Sequence, residues 1–157
     1  ISTYVVRASE KLRKQQQVTG AITVFARTSS YTPNFYSKTA TKRLQRYSND
    51  TAVLLATSLE LTEKLFQPNR LLMKAGVIMQ DLHKDNYLQL HLLEQYSTKE
   101  MERREKLMKT IDRLNKRYGR NVIQWAVCGL NPKWSMQRKY LSPAATTQFE
   151  DIPIVKS

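Results

Sequence analysis

Apolar residues at Ile1, Tyr4, Val5, Ala8 and Leu12 recur at helical spacing, which predicts a helix over residues 1–17. Val18-Thr19-Gly20 closes it, with Gly20 read as a turn. From Ala21 to Thr28 the period changes to two. Ile22, Val24 and Ala26 point one way, and Thr23, Phe25 and Arg27 the other, as in a strand. A loop from Ser29 to Ser37 carries Pro33 and the aromatics Tyr31, Phe35 and Tyr36. Thr39 to Tyr47 reads as a polar, basic strand whose main inward side chain is Leu44. Asp50 is placed to cap a helix that runs to Phe66, with Ala52, Leu55, Ala56, Leu59 and Phe66 as its apolar face and Pro68 just past its end. Leu71 to Leu82 is a third strand. The order α-β-β-α-β is that of a split βαβ sandwich lacking its first strand, so the chain reads as part of something longer.

A polar break at residues 81–86 precedes Tyr87-Leu88-Gln89-Leu90-His91-Leu92-Leu93-Glu94. Its alternating leucines fit a strand. Gln, Leu, any residue, Leu and a large apolar residue also fit an extended peptide that docks in a partner's pocket. Ser97 with Glu100 forms a capping box for a helix to Tyr118, stopped by Gly119, with a narrow stripe of Leu107, Ile111, Leu114 and Tyr118 flanked by Met101 and Met108. Val122 to Gly129 reads as a fourth strand, and the last residues, 144–157, as extended or partly disordered. The fold class is therefore α+β. A sandwich unit of two helices on one face of an antiparallel sheet spans 1–86, a linker 87–96, and a small helix-plus-strand module 97–157.

Charge changes the picture most. The chain of 157 residues carries 26 Lys and Arg against 13 Asp and Glu, a net charge of +13. Residues 1–46 hold nine basic side chains, Arg13 among them, against Glu10 alone, whereas residues 47–96 are net acidic by two. So uneven a surplus reads as a face built for phosphates, with nucleic acid the leading partner class. No apolar run is long enough to span a bilayer, and no membrane partner is expected. A single cysteine, Cys128, fits a reducing, cytoplasmic setting. No Gly-rich phosphate loop, paired metal-binding carboxylates or nucleophile motif stands out, and Asp81 and Asp85 lie at a strand end and its turn. These features describe a binding unit with no metal site or cofactor of its own.

Three stretches carry a resemblance. Glu10-Lys11-Leu12-Arg13 with Ala21 to Ser29, and Lys74-Ala75-Gly76-Val77, resemble the opening and the last strand of the little-finger domain of UmuC-type translesion polymerases. Trp134-Ser135-Met136-Gln137-Arg138, Leu141-Ser142-Pro143, Thr146-Thr147 and Asp151-Ile152-Pro153 resemble the C-terminal module of the same subunits. The resemblance implies the C-terminal part of a DNA polymerase V-like catalytic subunit of the Y family, acting in SOS repair and mutagenesis. The little finger would hold the DNA backbone with its sheet, through Arg27, Lys38, Lys42, Arg43, Arg46 and Lys74. Alternation puts Lys42 and Arg46 on one face of their strand and Arg43 on the other. Gln89, Leu90, Leu92 and Leu93 would be a sliding-clamp ligand. Leu93 stands where the family often has Phe, which implies affinity weaker by about 1 kcal/mol. Trp134, Met136, Arg138, Tyr140 and Leu141 are candidate anchors for the UmuD-type accessory dimer and RecA, or the core of a small module; Trp125 reads as core.

The resemblance further implies that the palm and its Mg²⁺ lie outside this chain, which would be inactive alone. The family's missing first strand would be central in the sheet, leaving two unpaired edges, with Val122–Gly129 the one spare strand to fill the gap. A stand-alone basic regulator that competes for the clamp or the accessory dimer remains the alternative.

Overall fold

A computed structural model describes residues 1–31, 33–85, 98–119, 121–130 and 152. The elements are α1 (Ser2–Lys14), β1 (Gln17–Arg27), β2 (Ser37–Ser48), α2 (Thr51–Leu65), β3 (Lys74–Lys84), α3 (Thr98–Tyr118) and a 3₁₀ turn at Ala126–Cys128. This is an α+β fold whose first five elements follow the predicted order.

The sheet runs β2-β1-β3, antiparallel throughout. β1 is its centre, and ten of its residues are paired with β3 from Gln17↔Lys84 to Arg27↔Lys74. The expected vacancy in the middle of the sheet is thus not there, because β1 bonds directly to both neighbours. Helices α1 and α2 pack together on one face. Val5 and Leu12 from α1, Ile22 and Val24 from β1, and Leu54, Leu55, Leu61 and Leu65 from α2 form the buried core, with Leu44, Val77, Met79 and Trp125 packed against it. The strand alternation expected for Ile22 and Val24 is the one observed.

Gly20 is not a turn. It lies inside β1, which starts at Gln17, and the chain reverses earlier, at Gln15 and at Gln16, whose φ is +53°. Opposite Gly20 the ladder with β2 slips: Ala21 pairs with Arg43 but Thr19 with Ser48, so residues 44–47 bulge out against a single residue. A Cβ at position 20 would lie 2.5 Å from Tyr47 Cε1 and 2.6 Å from Asp81 Oδ2. The glycine is required by this close approach, not by a turn.

Asp50 caps α2, accepting at Oδ1 from the Ala52 amide at 2.8 Å. The buried face of α2 is nevertheless Thr51, Leu54, Leu55, Thr57, Ser58, Leu61 and Leu65, whereas Ala56, Leu59 and Phe66 of the expected face are exposed. Apolar residues surround much of this helix, so hydrophobicity alone does not select a face. Buried hydroxyls decide it: Ser58 donates to the Leu55 carbonyl at 2.9 Å, and Thr51 shares a 2.8 Å hydrogen bond with Ser9 of α1.

Val122 to Gly129 is not a strand either. Asn121 and Gly129 have φ of +68° and +69°, and between them the chain forms the 3₁₀ turn. The Asn115 side chain of α3 accepts from the Ile123 amide at 2.8 Å and donates to its carbonyl at 2.9 Å. Those groups are satisfied without a neighbouring strand. This segment therefore does not fill a place in the sheet, and the C-terminal module shows no strand among the described residues. On α3 the buried residue is Met108, at 4% exposure, while Leu107 and Tyr118 of the expected stripe are exposed. Gly119 ends α3 with φ +112°. Ser97 of the expected capping box lies outside the described residues.

Candidate nucleic-acid interface

Among the described residues, no helix packs on the other face of the sheet. Cross-strand partners share a face, so Ala21, Thr23, Phe25 and Arg27 of β1 stand beside Arg43, Thr41, Thr39 and Ser37 of β2 and beside Gln80, Ile78, Gly76 and Lys74 of β3. Three of the expected DNA-binding residues fall here. Arg27 lies directly opposite Lys74 at one end, and Arg43 stands toward the other. Those positions are six residue steps apart along β1, about 20 Å at the strand rise. The strip between is uncharged. Thr23 hydrogen-bonds the Thr41 hydroxyl at 2.6 Å and Gln80 Oε1 at 2.9 Å, and the Phe25 ring lies over Gly76, where a Cβ would meet it at 2.5 Å.

Among the described residues, Arg27, Arg43 and Lys74 form no ion pair within 4 Å. Two cations directly opposite one another disfavour folding. A bound anion would relieve that repulsion.

The other expected contacts lie elsewhere. Lys42 pairs with Ile22 and so faces the helix side, where it is ion-paired with Glu60 of α2. This pairing, with that of Lys64, holds the exposed Glu60 carboxyl below its ordinary range. Lys38 also stands on the helix side of its strand, exposed, with its ammonium 5.7 Å from the Tyr36 ring centroid. Arg46 is half-buried in the bulge at 44–47. Strict alternation is broken across that bulge, so the inference that Lys42 and Arg46 share a face does not hold through it. Arg13 of the basic N-terminal block is not on this face at all: its guanidinium is bound to Asp112.

Two features were missed in the sequence. Arg70 lies 4.9 Å from the Tyr36 ring centroid, which Lys38 also approaches. Tyr36 is itself fixed by its hydroxyl, which donates to the Leu65 carbonyl at 2.6 Å, and by Thr28, whose amide donates to the Tyr36 carbonyl and whose hydroxyl accepts from the Tyr36 amide, each at 2.9 Å. The position of Arg70 after Pro68-Asn69 gave the one hint, a loop cation beside a strand start. At the other end of the sheet, Asp81 accepts from Tyr47 Oη at 2.9 Å and contacts His83 Nε2 at 3.0 Å, and Tyr47 and His83 meet edge-on. The Tyr47 hydrogen bond, then that of His83, holds the Asp81 carboxyl below its ordinary value. A polar pocket of about 170 Å³ lies here, lined by Gly20, Arg43, Leu44, Gln45, Tyr47 and Asp81.

The expected clamp ligand (Gln89, Leu90, Leu92, Leu93) and the expected accessory-protein anchors (Trp134, Met136, Arg138, Tyr140, Leu141) lie outside the described residues. Among the described residues no group of His, Cys, Asp and Glu is arranged to hold a metal ion, and no helix is long and apolar enough to cross a membrane.

Known proteins resemble this chain over nearly its whole length. Residues 105–155 match a domain of unknown function, DUF4113. Protein SamB of Salmonella typhimurium is 32% identical over 99% of the chain, and Protein UmuC of the same species 29% identical over 99%. Protein MucB of Escherichia coli is 31% identical over 98%. The chain spans only 37%, 37% and 36% of the lengths of these relatives. Residues 1–92, more than half of the chain, match the impB/mucB/samB family C-terminal domain, and the chain belongs to that family.

Proposed function

We propose that this chain is the DNA-binding and partner-docking C-terminal portion of an error-prone translesion DNA polymerase that acts in SOS repair and mutagenesis. The helix-free sheet face lies along the DNA backbone. Arg27 and Lys74 grip phosphate at one end and Arg43 at the other, and Lys38 and Arg70 extend the cationic end around Tyr36. The observation that carries this reading is the like-charged Arg27–Lys74 pair on an uncovered face without a carboxylate partner. Such contacts position the duplex without reading its sequence, because the charged groups address phosphates and the strip between them is made of Thr, Phe, Ile and Gly with Gln80, whose Oε1 is held by Thr23. Catalysis belongs to a palm domain with its Mg²⁺ elsewhere in the parent protein, and this chain alone does not polymerise.

Gln89, Leu90, Leu92 and Leu93 are the sliding-clamp ligand in this reading, and the segment from Trp134 to Leu141 meets the UmuD-type dimer and RecA. The test has two arms. Fluorescence anisotropy with a labelled primer–template should show binding that weakens steeply with salt and differs little between sequences. Absence of binding at low salt would refute the DNA role. In the second arm, replacement of Gln89, Leu92 and Leu93 by Ala should abolish clamp binding and leave DNA affinity unchanged. Equal clamp binding by both proteins would remove the tether from the proposal.

A further inference from the structure

The joint between α3 and the rest of the fold is built from charge. Arg104, Met108 and Asp112 are spaced by four and share one stripe of α3. Asp112 receives Arg13 of α1 in a two-pronged pair, Nε to Oδ2 at 2.6 Å and Nη2 to Oδ1 at 2.8 Å. Arg104 donates from Nε to Asp50 Oδ2 at 2.7 Å. Met108 lies buried between them, at 4% exposure, while Met101, Leu107 and Tyr118 on the same helix stay exposed. The order base–apolar–acid on α3 thus meets acid and base on the α1–α2 seat.

This arrangement fixes register. Sliding α3 by one turn in one direction brings Glu100 against Asp50. Sliding it the other way brings Lys116 against Arg13 and drives Asp112 into the place of Met108. Both slips set like charges together, so the seat rejects neighbouring registers as well as accepting this one.

The groups of the seat also bond among themselves. Arg13 Nη1 keeps the Asn49 carbonyl at 2.7 Å and Thr51 Oγ1 at 2.9 Å, and Asp50 Oδ1 keeps the Ala52 amide. Thr51 keeps Ser9. When α3 lifts away, neither charge on the seat is left buried without a hydrogen bond, so the penalty that locks most buried ion pairs shut is absent.

We propose that the α1–α2 seat is a docking surface that selects α3 by the charge order of its Arg104–Met108–Asp112 stripe, and that α3 opens and closes on it as a unit without unfolding the sheet. The surface recognises charge order, so ionic strength governs its occupancy. Its opening releases Met108 and the ion-paired stripe of α3 from the helix side of the fold.

Hydrogen–deuterium exchange on the 157-residue chain, read separately for α3 and β1, tests this. Raising salt from about 0.05 M to about 0.5 M should speed α3 exchange by about tenfold and leave β1 protected. Asp112→Asn and Arg104→Gln, both on α3 and outside the sheet core, should each do the same at low salt. Three results would overturn the proposal. Parallel loss of protection in α3 and β1 would make them one cooperative unit. Indifference of α3 to salt and to both substitutions would leave Met108 as its anchor. An α3 unprotected at low salt would mean that the seat does not hold it.

Discussion

The two sides of β2 offer a direct test of how this protein meets DNA. Arg43 and Lys42 are sequence neighbours with the same charge, yet Arg43 stands on the uncovered face opposite Ala21 and Lys42 on the helix side, bound to Glu60. Each phosphate contact contributes about 0.9 to the slope of log affinity against log salt. Between about 50 and 200 mM salt, a fourfold change, one contact therefore accounts for about a 3.5-fold change in affinity. Removing Arg27, Arg43 and Lys74 together should flatten the slope by about 2.7 and shrink the salt effect over that range by about 40-fold. Lys42→Ala should leave the slope unchanged. The assay is anisotropy titration of one labelled duplex at four or more salt concentrations, repeated with a duplex of unrelated sequence. A Lys42→Ala slope reduced as much as that of Arg43→Ala would refute the assignment of the face. So would a triple variant with the wild-type slope.

Further outcomes concern stability. Leu54→Ala, at a site with 0% exposure, should cost about 2–5 kcal/mol in denaturant unfolding, against under about 1 kcal/mol for Leu59→Ala at 36% exposure; equal costs would contradict the face assigned to α2. Tyr36→Phe leaves the Leu65 carbonyl without its buried donor and should cost about 1–3 kcal/mol by the same measurement, with a null effect counting against that bond. Asp81 and Glu60 have folded pKa values held below their ordinary 3.8 and 4.5, so their contribution is complete above those values and lost as pH falls through the lowered folded ones. Melting temperature should therefore be insensitive to these groups from about pH 5 to 7 and fall below about pH 4. Asp81→Asn should flatten part of that acid limb; superimposable wild-type and variant curves would exclude the Tyr47–Asp81 bond as its source.

The sequence alone determined what local geometry writes into it. The cap at Asp50, the period-two alternation of Ile22 and Val24, the order of the first five elements and the helix stop at Gly119 all follow from interactions within a few residues. The basic bias and the family-like stretches also lie in the sequence, because charge and residue order are intrinsic to the chain. The tertiary structure decided which partners those residues meet. Gly20 looks like a turn until Tyr47 and Asp81 close on it from distant parts of the chain. Val122 to Gly129 reads as a strand, but Asn115 supplies the hydrogen bonds that a neighbouring strand would have given. Lys42 and Arg43 are equivalent as charges, and only the register of β2 against β1, with Glu60 behind it, sends one to α2 and the other to the open face. Arg13 counts in the sequence only as one more charge of the basic N-terminal block, yet Asp112, ninety-nine residues away, makes it the anchor of α3. A side chain's identity fixes which interactions it can make; long-range pairing selects the one it makes.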